Sequence, residues 1–382
     1  MTGARRLSLG SLVIAVGAVL ATVLPGVYAS GLLPLIACGI ALALGGAALK
    51  QRDGLAWQAI AVAVMGLVMA WGVGSADRST VGAVVSTGLF IGMLQYATPL
   101  VFAGLGGLVS ERSGVVNIGL EGMMLTGAFA GYYGADKSGS WVVGVLCGVF
   151  AGGVAGLIHA VFAIHLRADQ IVSGTAINIL AAGGTAYAFR SLYGTADLPD
   201  INRIPELSFP SVPVIGAVLD GQSLLTWLAA VLAATVWFVL FRTPFGLRLR
   251  AVGEHPRAAD TVGIRVFRMR YLAVGASGML AGLGGAYLSV GYVGSFTENM
   301  TSGRGFIALA AMIFGKWRPS GLIGACLLFG FASALGDNLQ TSAGISADFT
   351  AMLPYILTLV ALVGFVGRSV PPRADGIPYR RQ

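Results

Sequence analysis

Long apolar runs are the feature that most restricts what this sequence can fold into. Twelve of them follow one another between residues 9 and 367, and most approach the roughly 20 residues that a helix needs to cross a bilayer. Only 10% of the 382 residues are charged, whereas soluble domains carry about 25%. The chain therefore has too few charges to cover a water-facing surface of its size, and a soluble enzyme or a disordered protein is disfavoured.

These runs predict an all-α polytopic membrane protein with about ten to twelve transmembrane or re-entrant helices. They are continuous rather than alternating, which argues against a β-barrel. The 57 glycines suit this class, because glycine lets membrane helices approach closely. The candidate spans are 9–28, 31–49, 55–74, 81–108, 118–135, 141–164, 170–190, 223–241, 271–290, 303–315, 319–337 and 351–367.

Two of the runs have lengths that do not suit a simple crossing. The run 81–108 is too long and carries Thr98 and Pro99 in its middle, while the run 303–315 is too short. We therefore predict that both are broken or re-entrant helices.

The basic residues predict the orientation of the chain. With the N-terminus inside, 19 of the 24 Lys and Arg residues fall on the inner side and five on the outer side. This bias follows the positive-inside rule, so we expect both termini in the cytoplasm of a bacterial-type cell membrane. It also explains the net charge of +8 without a nucleic acid partner. The predicted parts are N-terminal helices over 1–80, a core over 81–367 and a cytoplasmic tail over 368–382.

The N-terminus and the cysteines add little chemistry. Two arginines ahead of the run 9–28 resemble a signal peptide, but the run is long for one and another span follows at once, so a retained helix is favoured. Each of Cys38, Cys147 and Cys326 lies in an apolar run. We interpret all three as small core residues rather than disulfide partners or metal ligands.

Motifs for covalent chemistry are absent from the sequence. A phosphate-binding loop ends in Gly-Lys-Ser/Thr, but the only Gly-Lys pair, at Gly315, is followed by Trp317. No protease, redox or hydrolase motif occurs either, so we expect neither an enzyme nor a metal site. Ion-coupled transport usually places acidic or His residues deep in the spans. Such residues are nearly absent here, and His159 is interpreted as a hydrogen-bonded core residue.

The longest predicted cytoplasmic loop, residues 242–270, has seven basic residues and the pattern of a short docking helix. Pro256 suits the first helical position, and Gly263 suits the left-handed conformation that ends a helix. Ala258 and Ala259 would give this helix a thin face that fits a groove on another protein. The residues expected to couple to a partner are Gly253, Glu254, Pro256, Arg257, Ala258, Ala259, Gly263 and Ile264.

This loop resembles the coupling loop of permease subunits of ATP-binding-cassette (ABC) importers, in which a short helix docks on the ATPase. The pattern from Gly253 to Ile264 is similar to the version in the branch that serves branched-chain amino acids, simple sugars and nucleosides. A second stretch, Asn117-Ile-Gly-Leu-Glu-Gly-Met-Met124, is similar to a signature of the nucleoside and simple-sugar permeases in that branch. The resemblance covers roughly residues 85–367.

The resemblance implies a permease subunit of an ABC importer without chemistry of its own. Two such subunits, identical or related, would form the pathway, and separate ATPase subunits that bind ATP and Mg²⁺ would dock on the 242–270 loops. An extracytoplasmic solute-binding lipoprotein would deliver solute to outer loops that include Ser191–Gln222. The favoured solutes are nucleosides, then simple sugars, then branched-chain amino acids, and no cofactor is expected in this chain. An ion-coupled secondary transporter of small polar solutes is the alternative.

An internal repeat suggests where the pathway lies. Ala103–Gly107 recurs as Ala281–Gly285, and the predicted topology runs the two copies in opposite directions, as in an inverted repeat. A polar loop and another apolar segment follow each copy. In such transporters the solute site lies at the repeat interface near the bilayer midplane. The candidate pathway residues are Gln95, Thr98, Asn117, Glu121, Asn178 and Phe306.

Overall fold

The computed structural model describes residues 32–50, 87–194, 198–208, 216–343 and 370–380, with isolated positions 7, 10, 11, 13, 14, 346 and 352. The predicted span 55–74 lies outside the described residues. The predicted spans 9–28 and 351–367 also lie outside them, apart from a few isolated positions.

Helices make up most of the described chain. In chain order they are α1 (Leu32–Lys50), α2 (Thr87–Glu111), α3 (Leu120–Ser138), α4 (Trp141–Ala160), α5 (Gln170–Tyr193), α6 (Gly216–Leu219), α7 (Leu224–Arg242), α8 (Pro244–Glu254), α9 (Pro256–Thr261), α10 (Val266–Ala286), α11 (Arg304–Phe314) and α12 (Pro319–Ala343). Helix α4 continues as a π-helical turn over Val161–His165, and α10 continues as one over Tyr287–Val293. Two short strands, β1 (Glu206–Leu207) and β2 (Gln222–Ser223), pair antiparallel.

The predicted class, an all-α polytopic membrane protein, is confirmed. Within the described residues, six helical segments are long and apolar enough to cross a bilayer: Thr87–Glu111, Trp141–His165, Gln170–Tyr193, Leu224–Arg242, Val266–Val293 and Pro319–Thr341. Of the cysteines, Cys38 and Cys326 are buried free thiols as expected, whereas Cys147 is half-buried.

The two runs of unusual length behave differently. Helix α2 is a single helix of 25 residues with Pro99 inside it, so the prediction of a break there is wrong. Proline removes one backbone donor, and the hydroxyl of Thr98 donates to the carbonyl of Leu94 at 2.7 Å in the adjoining turn. Helix α11 has 11 residues and rises about 16 Å. That is about half of the hydrocarbon thickness, so the short run is confirmed as too short to cross.

Contacts divide the chain into two units. The first consists of Met1–Gly92, Ser211–Val218 and Ala332–Arg368, and the second of Met93–Pro210, Leu219–Phe331 and Ser369–Gln382. In the first unit, the hydroxyl of Ser11 donates to the carbonyl of Ala41 at 2.6 Å. The second unit contains all the candidate coupling and pathway residues.

Glycines hold α3, α4 and α10 together by direct contact between backbones. A Cβ atom on Gly127 would collide with the backbone of Gly282. One on Gly152 would lie 2.6 Å from the Cα of Gly282, and one on Gly156 would lie 3.0 Å from the Cα of Gly278. Because lipid provides no hydrophobic force between helices, such close van der Waals packing is what binds them.

Candidate coupling segment and solute pathway

The basic segment between α7 and α10 forms two consecutive helices instead of an open loop. Helix α8 has Pro244 in its first turn, and the hydroxyl oxygen of Thr243 accepts from the N–H of Gly246 at 3.3 Å. This helix is absent from the sequence-based expectation, although Thr followed by Pro is a common signal for a helix start. Helix α9 starts at Pro256, and Gly263 has a φ of 83°, so the predicted short helix and its glycine stop are confirmed.

The predicted coupling residues differ in how exposed they are to solvent. Ala259 is only 3% exposed, and Gly253 is buried where a Cβ would collide with the carbonyl oxygen of Arg112. These two small residues therefore pack inside the chain, and their coupling role stays a prediction. Arg257, Ala258 and Gly263 are exposed, while Glu254, Pro256 and Ile264 are half-buried. Val262, next to the end of α9, is 75% exposed.

The C-terminal tail, residues 370–380, lies against α8 and α9. The N–H of Ala374 donates to the carbonyl of Gly253 at 2.9 Å. The hydroxyl of Tyr379 donates to the carboxylate of Asp260 at 2.9 Å. Nothing in the sequence pattern of the tail predicts these contacts.

The same tail also contacts α2 and α10. Asp375 shares a hydrogen bond with the carboxyl group of Glu111 at the end of α2. Nη1 of Arg270 in α10 donates to the carbonyl of Ile377 at 3.2 Å. Burial raises the pKa of Asp375 to about 7, although the hydrogen bond with Glu111 and the charge of Arg270 both oppose this increase. The tail thus joins α8 and α9 to the two long helices α2 and α10.

Glu121 holds the start of the half-length helix α11. Its carboxylate accepts from the hydroxyl of Thr301 at 2.6 Å and from the N–H groups of Gly303 at 2.8 Å and Gly305 at 2.6 Å. The first N–H groups of a helix have no partner within it, and a negative charge near them is favourable. With 7% exposure and three donors, this carboxylate is already occupied by the protein.

Asn178 forms side-chain hydrogen bonds to the backbone at the start of α3, as Glu121 does at the start of α11. Its side-chain oxygen accepts from the N–H of Gly122 at 2.8 Å, and its amide donates to the carbonyl of Ile118 at 3.0 Å. Asn117 is fully buried and donates to the hydroxyl of Ser277 at 2.9 Å. The amide of Asn178 is therefore paired through both its oxygen and its nitrogen, whereas Asn117 is paired through its nitrogen and its buried oxygen has no partner within the described residues.

The remaining pathway candidates differ in exposure. Thr98 is buried and bonded within α2, Gln95 is half-buried, and Phe306 is 47% exposed. Close to this part of α2, the rings of Tyr96 and Tyr292 meet edge to face with centroids 5.8 Å apart. Neither tyrosine is among the residues that the sequence pattern singles out. The pathway role of the six candidates stays a prediction.

Each copy of the repeated motif packs against the residues just before the other copy. A Cβ on Gly106 in α2 would lie 2.6 Å from the carbonyl oxygen of Ser277 in α10, and one on Gly284 would lie 3.3 Å from the Cβ of Phe102. A later residue of α2 thus meets an earlier residue of α10, so the helices are antiparallel. This is the relation that an inverted repeat predicts, and Glu121 then links the helices that follow each copy.

His159 is a core residue, as interpreted from the sequence. Its ring is fully buried, with Nε2 2.9 Å from the carbonyl oxygen of Val116 and Nδ1 3.1 Å from the hydroxyl of Ser173. Both ring nitrogens are therefore paired within the protein.

Comparison with known proteins decides the family. Residues 89–362 match the model of a family described as the permease component of the branched-chain amino acid transport system. The chain belongs to this family. The permease is 46% identical over 303 residues to the guanosine ABC transporter permease protein NupQ of Bacillus subtilis, which covers 75% of this chain and 94% of the relative.

Two further relatives show the same extended similarity. The permease is 42% identical over 306 residues to the nucleoside ABC transporter permease protein NupC of Lactococcus lactis, covering 75% of this chain and 95% of the relative. It is 37% identical over 280 residues to the putative glucose ABC transporter permease protein TsgC13 of Haloferax volcanii, covering 71% and 83%.

Proposed function

We propose that this permease is the transmembrane subunit of an ABC importer that takes up nucleosides. One observation carries the proposal: relatives named as guanosine and nucleoside permeases are 46% and 42% identical to it over 94% and 95% of their own lengths. The relative with a putative glucose activity is less similar, at 37%. Simple sugars are therefore the second candidate.

A separate ATPase subunit would supply the energy, with ATP and Mg²⁺ bound to that subunit. The chain has no phosphate-binding loop of its own. The proposed docking face is the exposed part of α9 and the turn after it, with Arg257, Ala258 and Val262 at its surface. Both termini are proposed to face the cytoplasm, because the C-terminal tail packs on this basic segment and the bias of the basic residues places the N-terminus on the same side.

A related permease is the proposed second subunit. In Bacillus subtilis, two proteins named as guanosine permeases match this chain, one at 46% identity and the other at 25%. Lactococcus lactis likewise has two matching nucleoside permeases, at 42% and 24%. The pairing of one closer and one more distant relative in each organism supports a heterodimer.

An extracytoplasmic solute-binding lipoprotein is proposed to dock on the opposite end of the molecule. There Arg190 forms a two-point ion pair with Glu298, both N···O distances being 2.6 Å. The hydroxyl of Tyr132 donates to the carbonyl of Pro199 at 3.3 Å. These contacts fix the segments that follow α5 and α10, so they present a formed surface to the delivery protein.

Reconstitution tests the class of transporter. The permease, its ATPase, the second permease and the lipoprotein are placed in liposomes, and uptake of labelled nucleosides and sugars is measured. We expect uptake that needs ATP and prefers nucleosides. Uptake by the permease alone, driven by an ion gradient, would show the secondary transporter instead. ATP-driven uptake of sugars without nucleosides would overturn the solute assignment.

A matched pair of substitutions tests the docking face. Val262→Glu places a charge at the proposed interface, whereas Val370→Glu makes the same change at a valine of the tail that is 71% exposed. We expect Val262→Glu to weaken binding of the ATPase about tenfold, equivalent to about 1.4 kcal/mol, while Val370→Glu leaves it unchanged. Equal effects of the two substitutions, measured by co-purification and nucleotide hydrolysis, would contradict this docking face.

A further inference from the structure

Arg304 is a half-buried arginine at the start of the half-length helix. It begins α11, which rises about 16 Å to Phe314. Just beyond that end, the indole N–H of Trp317 donates to the carboxylate of Glu111 at 2.6 Å, next to the basic coupling segment. A helix of this length that starts at one face of a hydrocarbon core about 30 Å thick ends about half-way across it. A charge at that depth faces the protein interior or a water-filled cavity.

The guanidinium of Arg304 is fixed on one side and open on the other. Its Nη1 donates to the carbonyl of Met300 at 2.9 Å and to that of Thr301 at 3.3 Å. Nε and Nη2 form the edge that binds two acceptors at once. Within the described residues, no protein acceptor meets this edge.

Two other arginines show what this edge normally does. Nε and Nη2 of Arg190 bind both oxygens of Glu298. The same two nitrogens of Arg112 donate to the carbonyl of Trp317 at 3.0 and 2.7 Å. The open edge of Arg304 is therefore suited to a partner that comes from outside the described chain.

One aromatic ring lies against the guanidinium of Arg304, and a second ring lies against the first. The guanidinium carbon of Arg304 lies 6.0 Å from the ring centroid of Tyr96, which holds the guanidinium by a cation–π contact. The ring of Tyr292 meets that of Tyr96 edge to face. It also stacks on the ring of the buried Tyr287, with centroids 6.4 Å apart. Tyr96 and Tyr292 are half-buried, so both keep surface for a flat apolar ligand.

We propose that Arg304, Tyr96 and Tyr292 form a subsite for the base of a 6-oxopurine nucleoside, such as guanosine or inosine. The open edge of Arg304 matches the two adjacent acceptors O6 and N7 of such a base. Adenine has an amino donor in place of O6, and pyrimidines lack the second acceptor. The rings of the two tyrosines supply the stacking surface. This subsite rests on the proposed nucleoside function and names the class of nucleoside.

Uptake of guanosine and 7-deazaguanosine by the reconstituted importer tests the subsite, because the analogue lacks the N7 acceptor. We expect the wild type to prefer guanosine, and Arg304→Lys to reduce the guanosine to 7-deazaguanosine ratio about tenfold, since lysine keeps the charge but loses the paired donors. Comparing the two ratios removes any selectivity of the delivery protein. Inosine and adenosine form a second pair that tests position 6. Arg318→Lys, the same change at an exposed arginine outside both proposed docking surfaces, is the control and is expected to leave both ratios unchanged.

The outcomes separate the subsite from the proposed function. If no nucleoside is taken up with ATP, the proposed function fails. If uptake occurs but the ratios of Arg304→Lys equal those of the wild type, the subsite is overturned and the function stands. Equal uptake of all four nucleosides by the wild type would overturn the subsite as well. Should Arg304→Lys fail to fold, Tyr96→Leu gives the same test, with a ratio expected to fall about threefold because the guanidinium loses its ring.

Discussion

Two segments of the molecule differ in how much of their structure the sequence predicts. They are the coupling segment, residues 244–264, and the half-length segment, residues 294–314, and both carry short sequence patterns. In the coupling segment, Pro256 and Gly263 fix a helix start and stop through their own backbone preferences. In the half-length segment, the polar groups take their partners from residues some 180 positions away, as Thr301 does from Glu121. Local backbone signals are therefore readable from sequence, whereas distant side-chain partners are not.

Replacing Glu121 is expected to have the largest effect. Glu121→Leu leaves three donors at the start of α11 without an acceptor, and the buried ones, on Thr301 and Gly305, cost about 1–3 kcal/mol each. We therefore expect little folded protein, as measured by size-exclusion yield and thermal unfolding. Arg304→Lys serves as the control, because it leaves this network intact. If Glu121→Leu folded normally and changed only the KM for solute, Glu121 would face the pathway after all.

The same contrast explains how much of the fold is visible in the sequence. Apolar runs predict the long helices because lipid restricts their length and composition, and the repeated Ala-Gly-Leu-Gly-Gly motif predicts the antiparallel pair of α2 and α10. The amides of Asn117 and Asn178 indicate that partners are needed, but not whether the partner is solute or protein. The continuity of α2 through Pro99 depends on its tertiary surroundings, which a sequence pattern does not contain.

Two glycines of the coupling segment differ in how tightly they are packed. Gly253→Ala would push a methyl group into the carbonyl of Arg112, so we expect a loss of about 1–3 kcal/mol in stability. Gly263→Ala meets open space but must hold a φ of 83°, which costs about 1 kcal/mol. Thermal unfolding of the two variants side by side measures the difference. A larger loss for Gly263→Ala would mean that Gly253 is less tightly packed than the structure shows.

Docking of the tail is expected to depend on pH through Asp375. In the docked tail the pKa of Asp375 is raised to about 7. The tail is therefore bound most tightly below about pH 4, near the usual pKa of a carboxyl group, and binding weakens as pH rises from about 4 to 7. Hydrogen exchange of residues 370–380, corrected for intrinsic rates, should show more opening at pH 7 than at pH 6, by at most about tenfold. Asp375→Asn should weaken this dependence, and the neighbouring carboxyl group of Glu111 accounts for any that is left. An unchanged pH response in the variant would assign it to another group.

Tyr379→Phe is expected to have the smallest effect. It removes the hydrogen bond to Asp260, worth about 1 kcal/mol, and keeps the ring contact with Phe267, whose centroid is 5.6 Å away. Exchange in the tail should rise about fivefold while the fold is retained. Tyr187→Phe, at an exposed tyrosine in α5, is the control. Equal exchange in Tyr379→Phe and the wild type would show that the hydrogen bond does not hold the tail.

The glycine contacts among α3, α4 and α10 determine what kind of motion the permease can make. Where the backbone of Gly152 touches that of Gly282, no side chain stands between the helices to rotate and absorb a displacement. Helix α10 begins five residues after the end of α9 and rises about 32 Å. If the ATPase docks on α9 as proposed, its push would therefore tilt the three helices together as one stiff body.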